Sequence, residues 1–205
     1  TPECLPRFFP KGMIWRMPVT AEKAVYLTFD DGPHPVITPW VLAQLDSYKA
    51  GATFFCVGNN VVRFPDVYTS ILSAGHAVGN HTYNHLNGWK TNTDHYLRNI
   101  VQAGRHIKGH LFRPPYGRMR MSQYRRLLQS NKHTRVYMWD ILSGDFDNDL
   151  TPQQCIDNVL RYIAPGTIVV FHDSEKAWPR LQEALPAIMA HCANQGWSMR
   201  ALPGG

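Results

Sequence analysis

Closely spaced cysteines are missing from this chain. Its four Cys stand at positions 4, 56, 155 and 192, and no two have the close spacing of a thiolate zinc site or a redox pair, which argues against both. Cys56 lies in an apolar run and reads as a buried small hydrophobe, while a disulfide among Cys4, Cys155 and Cys192 stays open. Long apolar runs are missing too. None approaches the about 18 uncharged residues of a membrane-spanning helix, so no integral membrane segment is expected. The opening residues, Thr-Pro-Glu-Cys-Leu-Pro, show neither the basic region nor the apolar stretch of a signal peptide. With no Met at position 1, the chain reads as a mature or trimmed form, and its location is not readable directly. Repeats, low-complexity segments and linkers are absent, so residues 1–205 read as one domain. Acidic residues are few, 15 against 21 Lys and Arg, which leaves a formal charge of +6. That balance suits an anionic partner. The densest basic group, Arg118, Arg120, Arg125 and Arg126, reads as a solvated helix face. No nucleic-acid-binding pattern accompanies it, so nucleic acid is not an expected partner.

What is present is a chain with 44% apolar and 18% charged residues, the balance of a globular protein with a full core. Short runs rich in Val, Ile, Tyr and Phe predict strands at 25–29, 52–57, 77–80, 111–113, 136–139, 167–171 and 198–202. Several are continuously apolar, as strands buried on both faces are. Helices are predicted at about 38–50, 61–74, 92–107, 121–130, 152–163 and 179–195. Gly51, Gly75 and Gly196 follow three of them, where a left-handed cap is wanted. Thr151-Pro152 and Trp178-Pro179 look like helix starts. About seven strands alternating with helices make an α/β fold with a parallel sheet, and a barrel and an open doubly wound sheet fit equally well. Residues 1–20, with Pro at 2, 6, 10 and 18, are expected to be an irregular arm packed on the domain.

Chemically capable residues follow the strand ends: Asp30-Asp31 after the first, His81 and His85 after the third, Arg113 to Gly117 after the fourth, Asp140 to Asp145 after the fifth, His172-Asp173 after the sixth. That rim carries the active site in α/β barrels and open sheets alike. His81 and His85 are four apart, and on a helix both rings face one way and share an ion. Adjacent carboxylates at 30 and 31 repel unless a cation or proton compensates. The plainer reading of Asp31 is a turn residue before Gly32-Pro33. One Asp and two His make a three-ligand catalytic site with room for water, and the other Asp is then free as general base. His172 is a candidate general acid, its second nitrogen held by Asp145 or Asp173. Arg113 could fix a carboxylate with two prongs, and backbone N–H groups near Tyr116-Gly117 could meet an oxyanion. Trp89, Trp139 and Phe146 fall near these segments. Phe146 has the best claim to line a groove.

Five segments, Thr28-Phe-Asp-Asp-Gly-Pro33, His81-Thr-Tyr-Asn-His85, Arg113-Pro-Pro-Tyr-Gly117, Trp139-Asp-Ile-Leu-Ser-Gly-Asp-Phe146 and Val170-Phe-His-Asp173, resemble the ordered motifs of the NodB-like polysaccharide deacetylases, carbohydrate esterase family four. The resemblance implies a distorted (β/α) barrel with about seven parallel strands. It implies hydrolysis of N-acetyl groups on amino sugars of a peptidoglycan or chitin-like glycan, with one divalent ion, zinc or else cobalt or nickel. Asp31, His81 and His85 would be its ligands and Asp30 the base, positioned by Arg113. His172 would be the acid, tuned by Asp145, and the Tyr116 N–H would face the oxyanion. Tyr116, Phe146, Val170 and Trp139 would line the substrate site. The family is typically exported, which favours a location outside the cytoplasm or in the cell envelope. The chain departs from the pattern at Phe146, where the family usually has Trp, at Leu142, where Asp is common, and at Val170, commonly Leu. Those departures keep open an amide hydrolase acting on a small non-sugar compound. A silent glycan-binding module would have lost ligands, base or acid, and none is lost. Two His and one carboxylate also make an iron oxygenase triad, but that chemistry needs no acid at His172.

Overall fold

The computed structural model describes residues 9, 10 and 12–204. β1 (Ala24–Asp30) is the centre of the sheet, and all seven of its residues are buried. Around it run α1 (Ile37–Ser47), β2 (Thr53–Cys56), α2 (Gly58–Arg63), α3 (Pro65–Ser73), β3 (Ala77–Asn80), α4 (Thr93–Ala103) and β4 (Leu111–Phe112). Then follow a 3-10 turn (Pro115–Gly117), α5 (Met121–Ser130), β5 (Arg135–Val136), β6 (Ile141–Leu142), α6 (Pro152–Leu160), β7 (Ile168–His172), α7 (Trp178–Asn194) and β8 (Ser198–Met199). The order across the sheet is β5-β4-β3-β2-β1-β7-β6, every neighbouring pair parallel, and β8 pairs with the start of β1. Seven strands therefore curl into a half-barrel. No helix among the described residues is long and apolar enough to cross a membrane.

The strands are apolar on both faces because both faces are covered. Phe29, Phe54 and Phe171 stack across β2, β1 and β7 with ring centroids 5.0 and 5.9 Å apart. They join Leu181, Leu185 and Ile188 of α7 in the largest core cluster. Fully burying one such phenylalanine contributes about 1.5–3 kcal/mol. Tyr26, Phe55, Leu111 and Tyr137 fill the opposite, inner side in a separate cluster. Cys155 and Cys192 are buried free thiols, as is Cys56; Cys4 lies outside the described residues.

Four expectations change. The helix expected over 61–74 is two helices, because Pro65 opens α3 and Phe64 before it adopts a non-helical conformation. β6 is an added strand of two residues. Gly75 and Gly196 take the left-handed conformation, at φ 79 and 66, but at the end of α1 it is Lys49 that does so, at φ 50. Gly51 is wanted instead for closeness: a Cβ there would lie 2.9 Å from the Ala201 nitrogen. The N-terminal arm touches the sheet through isolated bridges at Ile14, opposite Tyr137, and at Arg16, opposite Thr167; residues 1–8 and 11 lie outside the described part. Finally, His81 to His85 form no helix.

Candidate active site

Every parallel strand points its C-terminal end at one rim, and the site is built there. Asp30 is the last residue of β1, flanked in register by Phe55 of β2 and His172 of β7. Its side chain is 4% exposed. A buried carboxylate needs a partner, and Arg113, fully buried, supplies it: Nη1 donates to Asp30 Oδ1 at 2.7 Å. The same guanidinium donates to Thr28 Oγ1 (2.6 Å) and to the carbonyls of Tyr137 (3.2 Å) and Met138 (2.8 Å). Its flat face lies 4.1 Å over the Phe55 ring, a contact that suits Arg and not Lys. The result is one rigid carboxylate with Oδ2 turned to the site.

Asp31 is treated differently by the fold. It sits at φ 81, a conformation costly for a residue with a Cβ, and this kink swings it off the strand. Asn60 Nδ2 holds its carbonyl at 2.8 Å. The next N–H, of Gly32, donates to Asp173 Oδ1 at 3.0 Å, and Thr38 Oγ1 donates to the other Asp173 oxygen. Asp173 thus props the kink, and Asp145 alone takes the role of holding His172. Gly32 is required here, because a Cβ would fall 2.1 Å from Asp173 Oδ2.

The two histidines meet Asp31 without a helix. Thr82 at φ 64 and His85 at φ 54 coil the loop. Asn99 of α4 pins it, its Oδ1 accepting from the N–H groups of Tyr83 and Asn84 at 2.9 Å each. His81 Nδ1 lies 2.8 Å from the Arg113 carbonyl, which can only accept, so Nδ1 carries the hydrogen and Nε2 the lone pair. Asp31 Oδ1 lies 3.0 Å from His85 Nε2 and 3.7 Å from His81 Nε2. One donor atom from each residue falls within 4.8 Å of the others. Asp31 Oδ1 is nevertheless a buried oxygen with no hydrogen-bond partner. An unpartnered carboxylate oxygen converging with imidazole lone pairs is the donor set of a divalent cation. Burial, the largest influence, pushes His81 down to about 4 and keeps it neutral, as a ligand must be. Burial opposes ionisation of Asp31, but His85, His172 and His81 outweigh it and hold its carboxyl well below the ordinary carboxylate range.

Across the site His172 Nδ1 is 2.8 Å from Asp145 Oδ1, and the His172 N–H donates to Asp145 Oδ2 at 2.7 Å. Asp145 is fully buried. Burial, again the largest influence, would lower His172, but Asp145, then Asp31 and Asp30, more than offset it and raise it to about 9. Phe146 packs edge-on at 5.1 Å from the His172 ring. On the facing wall Tyr116, at φ 60, is exposed and places its ring 4.6 Å from that of His85. Trp139 lies over Gly117, where a Cβ would meet it at 2.8 Å. Val170 is buried within β7.

Supporting residues that carry no local signal complete the set. Arg180 of α7 donates to the Asp145 carbonyl at 2.6 Å, and Thr28 Oγ1 donates to the Val169 carbonyl at 2.8 Å. Their partners are 35 and 141 positions away, so only the fold reveals them. Asn60 and Asn99 stand in the same position.

The polysaccharide deacetylase family model matches residues 18–136. This chain belongs to that family. A peptidoglycan-N-acetylglucosamine deacetylase of Bacillus cereus is 33% identical over 195 residues, 92% of this chain and 90% of the relative. A chitooligosaccharide deacetylase of Azorhizobium caulinodans is 31% identical over 160 residues, 74% of each chain. Among solved structures, the Bc1960 peptidoglycan N-acetylglucosamine deacetylase in complex with a hydroxamate superposes with a TM-score of 0.84 at 29% identity, covering 94% of this chain and 91% of that one. The deacetylase family thus supplies both the half-barrel and the reaction class, and the motifs read from the sequence lie on the rim where such an enzyme works.

Proposed function

We propose that this deacetylase removes N-acetyl groups from hexosamines of a peptidoglycan or chitin-like glycan, using a divalent ion held by Asp31, His81 and His85. The observation that carries the reading is the sorting of two adjacent carboxylates. Asp30 is tied to Arg113, whereas Asp31 faces two imidazoles with an unpartnered oxygen. The relatives named for peptidoglycan and chitooligosaccharide deacetylation support the substrate class.

Asp30 Oδ2 takes a proton from water as the oxygen adds to the acetyl carbonyl carbon. Arg113 keeps that carboxylate aimed. The Tyr116 backbone N–H donates to the developing oxyanion. His172, protonated with Asp145 behind it, gives its proton to the amine nitrogen as the carbon–nitrogen bond breaks, so acetate and a free amino sugar leave. Bound at the three ligands, a divalent ion supplies Lewis-acid polarisation and lowers the pKa of water; imidazole and carboxylate ligands favour zinc, with cobalt or nickel as substitutes. Phe146, Trp139, Tyr116 and Val170 form the walls against the acetylated sugar. A location outside the cytoplasm, where such glycans are, goes with this reading.

The test is acetate release from acetylated chitooligosaccharide and from peptidoglycan, by metal-stripped protein with and without added zinc. Zinc-dependent release that vanishes in Asp30→Asn is the expected result. Bound zinc without release from either glycan overturns the substrate.

A further inference from the structure

Beyond the acetyl-binding walls, one solvent-facing patch is built too firmly to be incidental surface. Trp89 is 50% exposed, yet the loop beneath it is bolted down. The Gly88 N–H donates to the Arg118 carbonyl at 3.2 Å. Gln123, fully buried, donates to the carbonyls of Gly88 (2.9 Å) and Thr91 (3.1 Å) and accepts from the Arg120 N–H (2.8 Å). Arg120 Nη2 donates to the Trp89 carbonyl at 2.5 Å. A Cβ at position 88 would stand 2.4 Å from the Arg118 oxygen, so this glycine permits the close approach. The backbone that presents the indole is thus fixed before any ligand arrives, which lowers the entropic cost of binding.

Chain connectivity keeps it within one saccharide unit or two of the metal-ligand candidates. Trp89 is four residues past His85, a span of at most about 14 Å. Arg118 is two residues past Tyr116, whose ring lies 4.6 Å from that of His85. The Arg118 guanidinium sits 5.2 Å over the Trp89 ring and has no carboxylate partner among the described residues. Lys90, Arg120 and Arg125 likewise lack one; in this neighbourhood only Arg126 is paired, with Asp94 at 2.5 Å. A large, flat, amphipathic ring takes the C–H face of a pyranose. A guanidinium with its donors free takes a carboxylate in a two-pronged contact.

We infer that Trp89 and Arg118 form an outlying saccharide subsite for a neighbouring sugar that bears a carboxylate. This rests on the glycan-deacetylase reading and adds a preference for an anionic polymer. The surplus of cations favours that polymer over a neutral one. On the opposite wall the corresponding cation is Lys176, 5.9 Å from the Phe146 centroid, an ammonium that lacks the two-pronged fork of Arg118.

Three tetramers test it on the full chain: acetylated glucosamine, peptide-free peptidoglycan glycan with its carboxylates free, and that glycan with the carboxylates amidated. Binding is measured by calorimetry on Asp30→Asn, and turnover on the zinc-supplied active protein. Adding Arg118→Gln should weaken binding and raise KM about tenfold for the free-carboxylate tetramer alone, with kcat unchanged. Trp89→Ala should weaken all three, and Trp89→Phe should restore most of the loss. Thermal melts matching the parent exclude misfolding. Equal losses on all three tetramers in Arg118→Gln, no loss at all, or duplex DNA binding that outcompetes the carboxylate tetramer would each overturn the inference. Binding that depends on Arg118 without acetate release by the active protein would sink the deacetylase reading and leave the subsite standing.

Discussion

The two sides of the site hold opposite charges by the same device. On the β1 side a buried carboxylate, Asp30, is fixed by a buried cation, Arg113. On the β7 side an imidazole, His172, is fixed by a buried carboxylate, Asp145. Each group is thereby fixed before substrate binds: Asp30 is held in one orientation, and His172 is raised so that it keeps its proton. The partners differ in what they leave free. Arg113 spends its donors on Asp30, Thr28 and two carbonyls, so it aims and does not react. Asp145 spends one oxygen on a backbone N–H and one on the ring, so it fixes the tautomer of His172 as well as its charge.

Breaking the base should matter most. Asp30→Asn is expected to lower kcat by about 10²–10⁴-fold, read in single-turnover acetate release, with zinc stoichiometry retained because Asp31, His81 and His85 are intact. Arg113→Met comes next. It strands a buried carboxylate and is expected to cost about 3–5 kcal/mol in denaturant unfolding; Arg113→Lys should recover only part, since an ammonium cannot make the same fork or lie flat on Phe55.

Asp145→Asn probes the other side, with a kcat loss of about 10²-fold and a change in pH behaviour. In metal-stripped protein His172 titrates at about 9, against about 6.5 in an unfolded chain. The fold therefore holds a proton the unfolded chain has lost. The stability gained is full below about 6.5 and disappears as pH rises through about 9. Imidazole resonances should show His172 falling from about 9 in Asp145→Asn, and the decline of stability across that window should flatten. A His172 that still titrates near 9 would refute the pairing.

The smallest effect is expected at Asp173. Burial first, then the charge of Asp31, raises it to about 7, against the hydrogen bonds from Thr38 and Gly32. The folded chain keeps a proton that the unfolded one releases from about 3.9 upward, so stability declines as pH rises from about 4 to 7. Asp173→Asn should remove that slope while changing the unfolding free energy at pH 5 by less than about 1 kcal/mol. Failure of the variant to fold would show that the Thr38 and Gly32 contacts need a carboxylate.

Much of this was legible in the chain because the working residues sit directly after strands that announce themselves by continuous apolar runs. Asp30, His81, Arg113 and His172 were located that way. The residues that hold them were not, since Thr28, Asn60, Asn99 and Arg180 reach their partners through space and leave no periodic trace. The helical reading of His81 and His85 failed for a related reason. Spacing by four brings two rings together on a helix, but here left-handed turns at Thr82 and His85 do it, and no rule of spacing distinguishes the two. The two-residue strand β6 and the break at Phe64-Pro65 fall at the limit of what local pattern resolves, although proline at position 65 was a usable signal for the second.

Asp30 and His172 are cross-strand neighbours, Cα partners in the pairing of β1 with β7. Their separation is therefore set by the spacing of adjacent strands, about 4.8 Å between backbones. It works as a caliper closed by main-chain hydrogen bonds. A slip of one residue would present Phe171 or Asp173 in place of the imidazole and turn the side chain to the other face. Drift in sequence along the two strands cannot widen or narrow this gap while the pairing holds. Exposed or half-exposed residues outside the two strands, such as Trp89, Phe146 and Arg118, can change without disturbing the caliper.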